Sequence, residues 1–99
     1  MSGYFVANYE IVNEEAYQGY LQRVGDTLRA HGAEVLVADY KSVGIEGSPA
    51  PVTVVIRFES KEAAQRWYHS TEYQTVIRHR TENTAGVAAF CDSYTPIAP

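Results

Sequence analysis

Phe58-Glu59-Ser60-Lys61-Glu62-Ala63-Ala64-Gln65-Arg66-Trp67-Tyr68-His69-Ser70-Thr71-Glu72-Tyr73-Gln74-Thr75-Val76-Ile77-Arg78-His79-Arg80 is the stretch that decides the fold of this chain. It reads as the end of a strand, a short helix, a break and a second helix. Ser60 is placed to accept a backbone N–H as a helix N-cap, and Glu62 sets negative charge in the first turn. Ala63, Ala64, Trp67 and Tyr68 then share one helical face. Ser70 is placed to cap the second helix. Tyr73, Val76, Ile77 and Arg80 follow it at i, i+3, i+4 and i+7, again one face. The aromatic residues Trp67, Tyr68 and Tyr73, with His69, should therefore cluster at one bend. The plainer reading of Trp67 and Tyr73 is that they anchor a core.

Outward from that stretch, the strongest strand precedes it. Val52-Thr53-Val54-Val55-Ile56-Arg57-Phe58 is apolar at nearly every position, as a central strand covered on both faces should be. Thr53, Val55 and Arg57 share one of its faces. Before it, Ser48-Pro49-Ala50-Pro51 cannot sustain a ladder and reads as a loop. Ala33 to Tyr40 is another strand, and Lys41 to Gly47 reads as its continuation, bent by glycines. The opening Tyr4 to Ile11 is rich in aromatic and β-branched residues and reads as a strand, with Phe5, Ala7 and Tyr9 on one face. Asn13 caps a helix whose apolar positions are Tyr17, Tyr20, Leu21, Val24 and Leu28. That helix stops near His31, with Gly32 as its left-handed end residue. Past the opening stretch, residues 81–84 read as a polar connection and Val87 to Asp92 as a short last strand. Residues 94–99 are expected to form a flexible tail.

The order is β-α-β-β-α-β, an α+β, ferredoxin-like arrangement with an antiparallel sheet in one domain spanning residues 1–99. Such a sheet carries helices on one face. The other face here is partly apolar and has to be covered. Two sheets pairing face to face across a two-fold axis, into a dimeric α/β barrel, would cover both copies. A chain of 99 residues hides only roughly 60–65% of its unfolded surface, so a homodimer through the sheet face also helps stability.

Composition excludes several classes. The net charge is −4 and the two lysines and six arginines form no basic stripe, which argues against a nucleic-acid partner. The single Cys91 cannot form an intramolecular disulfide and fits a reducing compartment. No apolar run approaches a membrane span, and the first residues carry no signal-peptide pattern, so a cytoplasmic protein is expected. The histidines and the cysteine lack ligand spacing, so no metal is expected, and no glycine-rich phosphate or dinucleotide motif suggests a cofactor.

Trp67-Tyr68-His69-Ser70-Thr71-Glu72-Tyr73-Gln74 resembles the W-Y-x-S-P-E-Y-Q signature of the domain of unknown function 1330 family, in the dimeric α/β-barrel superfamily. Phe58-Glu59-Ser60 is similar to its strand-to-helix segment, and Arg80 falls where the family tends to carry an arginine. The resemblance covers residues 4–94. Thr71 and Glu59 stand where proline is usual, and Ala33 where a second glycine is. Ala38-Asp39-Tyr40 replaces an Arg-Gly-Gly-like stretch where relatives can contact a ligand. The resemblance implies the fold and the dimer. It implies no activity.

For chemistry, His69 is the candidate general base. Arg57, a charge within an apolar strand, should pair with Asp39, Glu34 or Asp92 or hold an anionic ligand. Arg80 could hold a carboxylate bidentately. With Trp67, Tyr68, Tyr73 and Asp39 these arginines form the expected binding set for a small molecule. Two readings follow. One is a cofactor-free enzyme, an isomerase, cyclase or monooxygenase acting on a small carboxylate or an aromatic, polyketide-like metabolite, as the wider superfamily suggests. The other is a non-catalytic dimeric binding or accessory protein. Convergence of Arg57, His69 and Arg80 on one concave site would favour the enzyme. A carboxylate-paired Arg57 and a solvent-facing His69 would favour binding.

Overall fold

The structure is a computed structural model and describes residues 1–97. The expected tail falls partly on residues 98 and 99, which lie outside the described residues; Tyr94 to Ile97 carry no regular structure. The elements run β1 (Gly3–Ile11), α1 (Glu14–Ala30), β2 (Glu34–Asp39), β3 (Val52–Phe58), α2 (Lys61–Tyr68), α3 (Thr71–Gln74), α4 (Arg78–Thr81) and β4 (Thr84–Asp92). The strands form one antiparallel sheet in the order β2-β3-β1-β4. This is the ferredoxin-like arrangement that the strand and helix order predicts.

Local chemistry sets most boundaries. Asn13 accepts the Ala16 N–H at 3.1 Å and starts α1. Ser60 accepts the Ala63 N–H at 2.9 Å and starts α2, and Ser70 accepts the Tyr73 N–H at 3.2 Å and starts α3. Each cap satisfies a backbone donor that has no partner within its own helix. Gly32 adopts φ 64°, and the Ala33 N–H returns to the Leu28 carbonyl at 3.0 Å, which closes the end of α1.

Three expectations need correction. Lys41 to Gly47 does not continue β2: Ser42 N–H bonds the Pro51 carbonyl at 2.9 Å, closing a loop in place of the ladder. The second helix is not continuous but splits into α3 and α4, separated by a turn at residues 75–77. Its inward face nevertheless survives, with Tyr73, Val76 and Arg80 all buried. Finally, β4 starts at Thr84, three residues before Val87, because Thr84, Ala85 and Gly86 pair with Ile11, Glu10 and Tyr9.

All four helices lie on one face of the sheet, over Phe5, Ala7, Tyr9, Val52, Ile56 and Phe58. Trp67 is fully buried there, 5.3 Å from both Phe5 and Phe58 and 4.0 Å from Tyr73 between ring centroids. Its indole N–H donates to Thr27 Oγ1 at 3.0 Å, which ties α2 to α1.

The opposite face bears no covering element. Tyr4, Val6 and Asn8 of β1 lie beside Arg57, Val55 and Thr53 of β3 and beside Cys91, Ala89 and Val87 of β4. Val37 of β2 joins them next to Val55. Edge strand β2 also carries a register shift between Val35 and Val37, so that one extra residue, Leu36, bulges from the ladder.

Candidate functional site

Tyr17 and Tyr20 stand three residues apart on α1, so both point at the sheet. Beneath them, Phe5 and Tyr9 rise from the helix-covered face of β1. Tyr9 and Tyr17 bring their hydroxyls to 2.5 Å, and Tyr17 reaches Tyr40 at 3.3 Å. A second phenol pair, Tyr20 and Tyr73, meets at 2.8 Å. Between the two pairs comes the Arg80 guanidinium, carried inward by α4. Its central carbon lies 5.6 Å from the Phe5 ring, 6.0 Å from Tyr9 and 5.9 Å from Tyr20. Those separations reach the outer range of cation–π attraction.

All of these residues but Tyr73, which stands behind Tyr20 and Arg80, border a cavity of about 150 Å³. It opens between α1 and β2, where Leu21 and Val24 face Val35 and Ala38. Leu21 and Val35 remain substantially exposed because the helix does not close down on the edge strand. The gap explains why two of the apolar positions of α1, Leu21 and Val24, are not core residues.

The electrostatics of the cavity are one-sided. Burial pushes the phenols of Tyr9, Tyr17, Tyr20 and Tyr73 above their ordinary range, so all four are protonated at neutral pH. Burial opposes the charge on Arg80, the neighbouring Tyr73 and Tyr20 favour it, and the net displacement is upward. No Asp, Glu or His lines the cavity. It therefore presents hydroxyls and one cation, with no side chain suited to take a proton.

Of the residues singled out from sequence, the structure brings Tyr73 and Arg80 together, with the Arg80 Nε–H donating to Tyr73 Oη at 3.4 Å. Trp67 sits behind them in the core. Half-buried Tyr68 packs on Phe5, Tyr73 and Phe90, and its carbonyl accepts the Gln74 amide N–H at 2.6 Å. His69 is exposed, edge-on to Tyr68 at 5.3 Å, beside a shallow groove along Ala88, Ala89 and Phe90. Arg57 is on the uncovered face, 2.6 Å from Glu34. Asp39 is exposed and accepts the Lys41 N–H at 2.7 Å. Arg57, His69 and Arg80 thus occupy three separate places. Tyr9, Tyr17, Tyr20 and Tyr40 line the cavity yet were not among the expected site residues. The signal was available in Tyr17 and Tyr20 at helical spacing opposite the inward Tyr9. Among the described residues no three His, Cys, Asp or Glu side chains come together as a metal site, and no helix is long and apolar enough to cross a membrane.

A family model described as "Domain of unknown function (DUF1330)" matches residues 2–94. No curated protein matches the chain. Among solved structures, a protein of unknown function from Rhodopseudomonas palustris superposes with a TM-score of 0.75 at 13% identity, covering 96% of this chain and 84% of that one. A Caulobacter crescentus protein provisionally named an antibiotic biosynthesis monooxygenase gives a TM-score of 0.64 at 12% identity, covering 95% and 91%. A dabb family protein with a ferredoxin-like fold from Mesorhizobium loti gives 0.55 at 10% identity, covering 98% of each chain. At such identities the likeness is one of fold, the ferredoxin-like arrangement.

Proposed function

This chain belongs to the domain of unknown function 1330 family, and we propose that it binds a small molecule in the cavity between α1 and β2, as a homodimer paired through the uncovered sheet face. One observation carries the reading: the cavity of about 150 Å³ places a buried cation and phenol hydroxyls inside apolar walls. Apolar walls with a few convergent polar groups are the usual character of a ligand site. The exposed His69 and the Glu34-paired Arg57 favour binding over turnover at those residues. The dimer is supported by the uncovered patch around Val6, Val55, Val37, Val87 and Ala89, which two copies related by a two-fold axis could bury against each other.

The test is a thermal-shift screen against small carboxylates and aromatic metabolites, with Ala38→Phe as a variant that fills the cavity. A ligand at 100 times its dissociation constant adds about 2.7 kcal/mol to native stability. Hits that Ala38→Phe abolishes support the cavity. Silence across the screen, or hits indifferent to Ala38→Phe, removes it. A cofactor-free isomerase, cyclase or monooxygenase is the second reading. It is favoured by the position of Arg80, where a cation would steady negative charge developing on a bound molecule. Mass spectrometry of each hit after incubation with the protein separates turnover from binding.

A further inference from the structure

The charge on Arg80 is unusual for its surroundings. The residue is only 7% exposed, and no carboxylate among the described residues comes within ion-pair distance of it. Every other arginine except Arg23 and Arg66 has an acidic partner, and those two are exposed at the surface. A guanidinium has five N–H donors. The protein satisfies one of them, through Tyr73. The donors on Nη1 and Nη2 have no acceptor among the described residues, yet no side-chain nitrogen or oxygen of those residues is both sealed from solvent and unbonded. The terminal nitrogens therefore front open space, and the open space beside Arg80 is the cavity.

Three aromatic rings offset part of the burial cost. At 5.6–6.0 Å each contributes weakly, against the larger cost of desolvating an ion. The rings leave the in-plane N–H groups unused, because they meet the guanidinium by its charge and not by hydrogen bonds. What completes this site is an acceptor that is flat, bidentate and negative.

We infer that the cavity takes a monoanionic carboxylate carried on a body about the size of a single ring, with its two oxygens on the Nη N–H groups of Arg80. This rests on the cavity being the binding site. The fork of donors matches a carboxylate in spacing and in plane. The single cation, with no second positive group on the lining, matches one negative charge. A phosphate dianion would bring a second charge into apolar walls with nothing to meet it. The volume sets the body: an apolar cavity of about 150 Å³ accepts benzene. The phenol chain Tyr9–Tyr17–Tyr40 leads from the interior to the cavity rim, and gives a hydroxyl-bearing ring a place for its polar substituent.

The experiment is calorimetric titration of wild type with benzoate, benzamide, toluene and phenyl phosphate at neutral pH, repeated on Arg80→Lys and Arg80→Met. Benzoate is expected to bind at least tenfold more tightly than benzamide or phenyl phosphate. Arg80→Met is expected to erase that preference while still admitting toluene, and Arg80→Lys to keep part of it. If the amide or the phosphate equals benzoate, or Arg80→Met retains the preference, the carboxylate assignment falls while the cavity stands. If no member of the series binds wild type, toluene included, both fall. Should Arg80→Met not fold, the wild-type series and Arg80→Lys decide the matter alone.

Discussion

The hydroxyls of Tyr20 and Tyr73 meet at 2.8 Å across a sequence separation of 53 residues, and the Tyr73 oxygen also accepts the Arg80 Nε–H at 3.4 Å. One phenol thus ties α1, α3 and α4 together inside the core. Tyr73→Phe leaves both partners without it and is expected to cost about 1–3 kcal/mol. Tyr20→Phe should cost less, since Tyr73 keeps Arg80. Urea midpoints of the two variants check the order; equal effects would show that the Arg80 contact contributes nothing.

Arg80→Met should behave oppositely in the ligand-free protein. It exchanges a buried charge without a carboxylate for an apolar chain of similar length. Such exchanges are neutral or stabilising by about 1–4 kcal/mol even for paired charges. Unfolding of wild type and variant, both free of ligand, measures this. A loss of stability would mean that the three rings already satisfy the guanidinium.

Alkali should unfold the protein. Burial raises the folded-state pKa of Tyr9, Tyr17, Tyr20 and Tyr73 above the unfolded value of 10.0. Below that value both states hold these protons and the contribution to stability is complete. Above it the unfolded chain releases protons that the folded chain keeps, so stability falls as pH rises. Tyrosinate absorbance and circular dichroism recorded together are expected to change in one transition for these four residues. Ionisation well before unfolding would contradict their burial.

Val55 lies on the middle of the uncovered face, paired with Val6 on one side and Val37 on the other. Val55→Asp should leave the fold intact, because the residue is not part of the helix-covered core, and should convert the proposed dimer into a monomer. Sedimentation of wild type and variant checks it. An unchanged dimer would move the interface elsewhere.

What the sequence makes legible is what depends on near neighbours. Ser60, Ser70 and Asn13 can be read as caps because the donor each satisfies lies three residues on. The choice of Glu34 for Arg57 among three acidic candidates needed the strand register, though the need for a partner did not. The early start of β4 was hidden because Gly86 reads as a breaker. It is there because its place opposite Tyr9 leaves no room: a Cβ would come within 2.3 Å of the Asn8 carbonyl oxygen. The break between α3 and α4 was hidden because the inward periodicity of Tyr73, Val76 and Arg80 survives it. The cavity itself is least legible. It exists because α1 stands clear of β2, and Leu21 and Val24 repeat at the same helical spacing whether they face a core or a void.

The bulge at Leu36 bears on what the molecule avoids. Strand β2 ends the sheet with Val35, Leu36 and Val37 all exposed, a row of free backbone groups beside apolar side chains. A straight edge of that kind would accept a strand from any neighbouring chain and extend without limit. One extra residue breaks the repeat of donors and acceptors, so an incoming strand finds a matching partner for only part of its length. The irregular edge that borders the cavity mouth thus also works against growth into a fibre.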